Sequence, residues 1–195
     1  MTKNAHFDAY VLSESSLFVY PYKVMLKTCG TTVTLRCLDR LMELVKEHVP
    51  ETSIEFCFFS RRNLLFPDRQ IFPHTNFDDE VAYLNKAFGT DGEAYVFGPN
   101  NAHQWHLYFV DYSDKTEITD DVTLEIMMTD LDRTVMEQFY KSAEDISAKE
   151  ITRSAGISNL IPGQTTDEYM FDPCGYSMNG LFGDVYSTIH ITPEA

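Results

Sequence analysis

Four short strings hold the side chains of this 195-residue chain whose types and spacing could do chemistry. The first is Glu14-Ser15-Ser16, set between the apolar pairs Val11-Leu12 and Leu17-Phe18. A serine hydroxyl is a weak nucleophile unless strain, an oxyanion donor and a base activate it. Taken alone, the triplet reads as a hydroxyl-rich loop. The second string, Lys27-Thr28-Cys29-Gly30-Thr31-Thr32, puts a thiol in a turn, where it is either a structural cysteine or a partly exposed acid. The third runs from Phe171 to Gly180 and contains Cys174 and Ser177. The fourth, Thr188 to Glu194, contains His190, and imidazole is the side chain best matched to proton transfer near neutrality. By spacing, His190 shares a strand face with Thr188 and Thr192 and reads as a satisfied strand histidine. Ser177, after Gly175, reads as a turn serine.

These strings, in this order, resemble the eukaryotic S-adenosylmethionine decarboxylase family, the pyruvoyl enzymes of spermidine and spermine synthesis. The likeness extends through Phe72-Pro73-His74, Thr123-Leu124-Glu125, Ser154 to Ile157 and Leu160-Ile161-Pro162, from about Phe7 to Glu194. Around Phe7 to Lys23 it is most similar to plant-type members. The resemblance implies self-cleavage between Glu14 and Ser15. The Ser15 hydroxyl attacks the Glu14 carbonyl, the ester is lost by β-elimination, and the serine remnant becomes a pyruvoyl cofactor. His190 and Ser177 match the residues that assist this processing. In the mature enzyme the pyruvoyl carbonyl forms a Schiff base with S-adenosylmethionine and acts as an electron sink for decarboxylation. Cys29 matches the proton donor to the α-carbon. Phe171 matches an aromatic that stacks on adenine, Glu194 a carboxylate that binds the ribose, and Glu14 lines the same pocket near the sulfonium.

A second, diamine site is also implied. Asp121, Thr123 and Glu125 stand at i, i+2 and i+4, so a strand puts them on one face. They match residues that bind the activator putrescine in animal-type members, and Lys27 matches a lysine linking that site to the centre. A solvated strand face is the competing reading. Plant-type members work without putrescine, so the plant-like start and the animal-like acidic triplet point in opposite directions. Family members extend further at both ends, where they supply another adenine-stacking aromatic and further acidic residues. The family fold is an α+β, four-layer α-β-β-α sandwich with antiparallel sheets. The expectation here is one such domain over 1–195, lacking terminal segments.

The elements that must position these residues follow from periodicity. Val24 and Leu26 alternate in a strand over Tyr22 to Thr28. Leu35, Leu38, Leu41, Met42, Val45 and Val49 form a helical stripe that Pro50 ends. Ile54, Phe56 and Phe58 alternate. Phe77, Val81, Leu84 and Phe88 predict a helix that opens with three acidic residues and ends at Gly89. Strands over Glu93 to Gly98 and Trp105 to Tyr112 flank the turn at Gly98-Pro99-Asn100-Asn101. A strand over Val122 to Met128, a short helix over Arg133 to Tyr140 and a strand over Ser187 to Thr192 follow. Strands outnumber helices and several are joined by short turns, which gives antiparallel sheets with helices packed outside.

Composition narrows the function classes. The formal net charge is −15, from 15 basic and 30 acidic residues. That disfavours nucleic acid or an anionic membrane as partner and suits a small cation such as a sulfonium or a diamine. No apolar run approaches the ~18 residues that cross a bilayer, and Met1 to Phe7 has no signal-peptide pattern, so a cytoplasmic protein is expected. Four scattered cysteines form no Cys-x-x-Cys pair and predict reduced thiols. His103-x-x-His106 is not a metal pair, because strand geometry sends the two rings to opposite faces. Two readings remain at this stage. One is an active, self-processing decarboxylase that keeps its cleaved chain 1–14 and pairs as a homodimer. The other is a catalytically weak paralogue that binds and regulates a decarboxylase subunit.

Overall fold

A computed structural model describes residues 1–30, 32–89, 92–100, 102–113, 121–141 and 146–194. Thr31 of the second string and Asn101 of the expected turn lie outside the described residues. The chain divides into two compact units, Met1–Thr32 with Thr123–Ala195, and Val33–Val122.

The first unit holds two antiparallel sheets. One has the order β1 (Thr2–Lys3), β2 (Asp8–Val11), β3 (Ser15–Val19), β4 (Val24–Thr28). The other has Val185–Ile191 and Thr165–Met170 on either side of Tyr176–Phe182. That central strand is buried on both faces, so its sequence shows no hydrophobic alternation. Its Leu181 packs with Phe7, Ala9, Phe18 and Tyr20 from the first sheet. Its Tyr176 and Met178 point the other way, into Phe139, Ile151 and Ile157. These come from the turn after the short helix α3 (Arg133–Met136), from α4 (Ala148–Ser154) and from the turn that follows it. A capping box starts α4: the Ser147 hydroxyl accepts from the Glu150 N–H while the Glu150 carboxylate accepts from Ser147.

The second unit pairs β5 (Phe56–Arg62), β7 (Trp105–Asp111) and β6 (Glu93–Phe97), in that order, antiparallel. Leu84 and Val81 of α2 (Phe77–Phe88) join Leu35 and Leu38, at the start of α1 (Leu38–His48), over Phe59, Tyr108 and Val110. The Asn76 side chain caps α2 by accepting from the Asp79 N–H, and Gly89 ends it at φ +69°. Beneath α2, Glu80 is fully buried; both its oxygens lie 2.8 Å from Arg61 Nε, and Oε1 lies 2.6 Å from His74 Nδ1.

The α+β reading with antiparallel sheets holds. One expected strand does not: 122–128 forms no ladder among the described residues, and Val122, Leu124 and Ile126 are 70–91% exposed. Alternation marks a segment suited to a sheet, but a strand also needs a neighbour to take its backbone hydrogen bonds. No helix among the described residues is long and apolar enough to cross a membrane.

Candidate functional site

The Glu14-Ser15-Ser16 triplet is not a free loop. It turns the corner of a tight hairpin in which Val11 pairs with Ser16 and the Leu12 N–H donates to the Ser15 carbonyl at 2.8 Å. Strand alternation sends its two serines apart. Ser16 points inward and is fully buried, while Ser15 and Glu14 line an open cleft of about 760 Å³ with Ser13, Thr32, Tyr169 and Phe171.

The Glu14 carbonyl accepts a hydrogen bond from the Cys29 N–H at 2.9 Å. A main-chain donor at a carbonyl is what an oxyanion needs if that carbon is attacked. Gly30, at φ +64°, lies under the Glu14 side chain; a Cβ there would sit 2.5–2.7 Å from the carboxylate. Only glycine meets both demands of that position, the left-handed backbone and the close approach. Burial, and then the Glu14 carboxylate, push the Cys29 thiol above its ordinary pKa, so it holds its proton at neutral pH.

Ser177 and His190 are cross-strand partners, each six positions from the Gly183-Asp184 turn. The Ser177 hydroxyl donates to the Ser13 carbonyl at 2.7 Å and lies 2.8 Å from His190 Nδ1. His190 Nε2 lies 3.0 Å from the Ser16 hydroxyl. Burial lowers the His190 pKa, opposed by the Ser13 carbonyl, so the ring is a neutral base at physiological pH. The fold thus gathers Glu14, Ser15, Cys29, Ser177 and His190 around one peptide.

Phe171 lies on the wall of the same cleft. Glu194 is exposed and accepts from the Cys174 thiol at 3.1 Å. Sequence reasoning missed three neighbours. Tyr169 stands two residues before Phe171 and lines the cleft, a spacing that marks a shared strand face. Ser16 and Asn179 are wholly buried polar residues bonded to each other; they lie inside the first and third strings, but nothing in their own types or spacing gives them a role.

The second set is only partly assembled. Lys27 Nζ lies 2.5 Å from Glu125 Oε1. Burial draws the Lys27 pKa down, but Glu125 and the Tyr186 hydroxyl outweigh it and leave it raised. Asp121 falls in the other unit, Thr123 is exposed, and no strand carries the triplet, so the single acidic strand face expected from spacing is not formed. All four cysteines are free thiols. His103 precedes β7, and His106 faces Arg61 at 3.3 Å and the ring of Phe77.

The family described as adenosylmethionine decarboxylase matches residues 1–195. An S-adenosylmethionine decarboxylase proenzyme of Dictyostelium discoideum is 51% identical over 195 residues, which are all of this chain and 50% of that one. A proenzyme of Xenopus laevis is 48% identical over the whole chain and 58% of its own length. Proenzyme 3 of Arabidopsis thaliana is 41% identical over 98% of this chain and 56% of its own. A crystal structure of Trypanosoma brucei AdoMetDC-delta26 monomer superposes with a TM-score of 0.58 at 24% identity, over 91% of this chain and 64% of that one, and shows the fold. The chain spans about half the length of the curated relatives it matches. The gathered hairpin residues and these matches together make the chain a member of the adenosylmethionine decarboxylase family.

Proposed function

We propose that this chain carries the self-processing centre of an S-adenosylmethionine decarboxylase, cleaving between Glu14 and Ser15 to leave a pyruvoyl group at position 15. One observation carries the reading: the Glu14 carbonyl has a main-chain donor 2.9 Å away, while the Ser177–His190 pair grips the Ser13 carbonyl beside it. The Ser15 Oγ attacks the Glu14 carbonyl carbon, and the Cys29 N–H steadies the oxyanion. The C–N bond then breaks, the nitrogen takes a proton, and an ester joins Glu14 to Ser15 Oγ. Neutral His190 removes the Ser15 α-proton, the Cβ–Oγ bond breaks, and Glu14 leaves as a carboxylate. The dehydroalanine takes up one water and releases ammonia. Residues 1–14 stay attached through the β2–β3 ladder and the stacking of Phe7 on Tyr20, centroids 4.4 Å apart.

These residues fit the group they would create. The pyruvoyl carbonyl supplies an electron sink for the pair left when carbon dioxide departs. Cys29, protonated by burial and by Glu14, stands at the hairpin as the proton donor to that carbon. Phe171, with Tyr169 beside it in the cleft, stacks on adenine, and Glu194 takes the ribose hydroxyls. Glu14 faces the sulfonium. Lys27, Thr123 and Glu125, which share the first unit, are assigned to a diamine-responsive site with the Lys27–Glu125 contact as its link to the centre; Asp121, in the other unit, is left out of that assignment.

Intact mass of the expressed chain, with Ser15→Ala beside it, tests the reading. Two products split at Glu14–Ser15, the larger lighter by one ammonia than a serine-started chain, support it. A single uncut mass matching Ser15→Ala, also in a version extended to the relatives' length, removes it in favour of the regulatory paralogue.

A further inference from the structure

His190 faces three hydroxyls, Ser177 at Nδ1 and Ser16 and Thr188 at Nε2, and their proton balance fixes its tautomer. The Ser13 carbonyl can only accept, so the Ser177 proton is committed to it at 2.7 Å. The 2.8 Å contact between Ser177 Oγ and Nδ1 must then be Nδ1–H donating to Ser177. In the neutral ring Nε2 is a bare acceptor, and its nearest donor is the Ser16 hydroxyl at 3.0 Å, closer than Thr188 at 3.4 Å. A Ser16 proton given to Nε2 cannot also go to Asn179. The 2.7 Å contact between Ser16 Oγ and the Asn179 amide is then satisfied by the NH₂ donating to Ser16. As placed, the Asn179 Nδ2 is buried without a partner, and turning the amide gives it one.

We propose that Ser16 and Asn179 are positioning residues for the elimination step, holding His190 as the Nδ1–H tautomer with its basic Nε2 turned toward the Ser15–Ser16 segment. This rests on the self-processing reading. The network pins the chain on both sides of Ser15, at the Ser13 carbonyl through Ser177 and at the Ser16 hydroxyl through His190. A hydroxyl suits the place because it serves both states of the base. It donates to neutral Nε2. Once Nε2 has taken the α-proton, Ser16 accepts from Nε2–H and keeps its own proton, turning its O–H to donate to the Thr188 oxygen at 2.9 Å. Ser16 is 0% exposed and so is Asn179, so water supplies neither role.

The test uses the full chain, following cleavage by intact mass and trapping the ester with hydroxylamine. Ser16→Ala is expected to slow cleavage roughly tenfold or more and to accumulate the hydroxylamine-sensitive ester, and His190→Ala is expected to do the same. Adding Ser16→Ala to His190→Ala is expected to slow it no further, because both act through one base. Ser16→Thr, which keeps the hydroxyl, is expected to recover the rate. Asn179→Asp replaces the amide with a carboxylate that claims the Ser16 proton and favours imidazolium. Its pH–rate profile is expected to move to higher pH by on the order of one unit. Other ionisable groups on this layer are Lys27 with Glu125 beside Ser16, Tyr186 near Lys27, Asp167 beside Asn179, Tyr169 beside Ser177, and Glu14 with Cys29 at the hairpin. They are common to both proteins, so the difference reports the base. Should Ser16→Ala fail to fold, the near-isosteric Asn179→Asp profile decides alone. Wild-type cleavage with Ser16→Ala cut at the same rate, Ser16→Ala stalled without ester, or an unmoved Asn179→Asp profile overturns the assignment and leaves self-processing standing. An uncut wild type overturns both.

Discussion

Replacing Glu80 by Gln removes one charge and almost no volume from the second unit. Glu80 is fully buried, and Arg61, 14% exposed, places its Nε 2.8 Å from both carboxylate oxygens. His74 completes the set: its Nε2 accepts the Leu35 N–H at 3.2 Å, so Nδ1 carries the hydrogen that points at Glu80. A glutamine oxygen in place of Oε1 can still accept from both Arg61 and His74, but the amide NH₂ then turns a donor toward Arg61 Nε where the second carboxylate oxygen accepted, and the guanidinium is left without a counter-charge. Breaking a buried pair from one side costs about 3–5 kcal/mol. Arg61 keeps a bond to the Arg62 carbonyl at 3.0 Å and a place over the Phe77 ring at 5.8 Å, so the cost falls near the low end, about 3 kcal/mol.

Against a typical domain stability of about 5–15 kcal/mol, that is a large fraction. With a urea slope of about 1–3 kcal/mol per M, the midpoint falls by roughly 1–3 M. The only tryptophan, Trp105, begins β7 in the same unit, so its fluorescence reports the transition. A midpoint within about 0.3 M of the parent refutes the argument, since surface substitutions alone do that much. Removing the partner as well, with Arg61→Met, is expected to recover most of the loss, because an apolar pair carries no desolvated charge.

Two shorter expectations concern the hairpin. Gly30→Ala forces an alanine to φ +64° and pushes the Glu14 carboxylate aside, at about 1–2 kcal/mol for the backbone alone. Cys29 loses the carboxylate that helps hold its proton, so thiol alkylation is expected to begin at lower pH than in the parent, and an unchanged alkylation profile defeats the idea. If His190 is the base, its lowered pKa means that ester elimination is expected to rise with pH through a midpoint below 6.5 and to be flat above neutrality. Hydroxylamine-trapped ester followed from pH 5 to 8 checks this; a rate still climbing above pH 7 contradicts it.

The sequence made some elements plain and hid others for physical reasons. Helix α2 was legible because its stripe, its acidic first turn and Gly89 agree. The alternating run 122–128 was misread because periodicity describes a segment's own faces and says nothing of the ladder it lacks. The strand Tyr176–Phe182 escaped notice for the opposite reason: with both faces buried it has no period to read. Helix α4 does carry a local signal, the Ser147-x-x-Glu150 box, but it is short and followed by few apolar residues. At the site, Ser15, Cys29, Ser177 and His190 came from the resemblance, since each alone reads as an ordinary residue. Only coordinates bring out Ser16 and Asn179, because a buried serine in a strand looks like any other until its partners are known.

The two sheets of the first unit divide their shared layer by chemistry, and the proposed cleavage peptide sits at one side of that division. Along Tyr176–Phe182 the inward residues are Ser177, Asn179 and Leu181; along β3 they are Ser16 and Phe18. Leu181 and Phe18 meet Phe7, Ala9 and Tyr20 at one end and supply the apolar burial that holds the sheets together. Ser16, Ser177 and Asn179 meet His190 and Thr188 at the other, where each buried polar atom costs stability unless it is bonded. A polar end of this kind, crossed by directed hydrogen bonds, stabilises the layer less than leucines would, but it orients the His190 imidazole and the Ser13 carbonyl. The hairpin of Glu14 and Ser15 lies at that end. Strain or slack introduced at the apolar end is therefore expected to lower stability without moving the pH profile of processing, while changes at the polar end move the profile first.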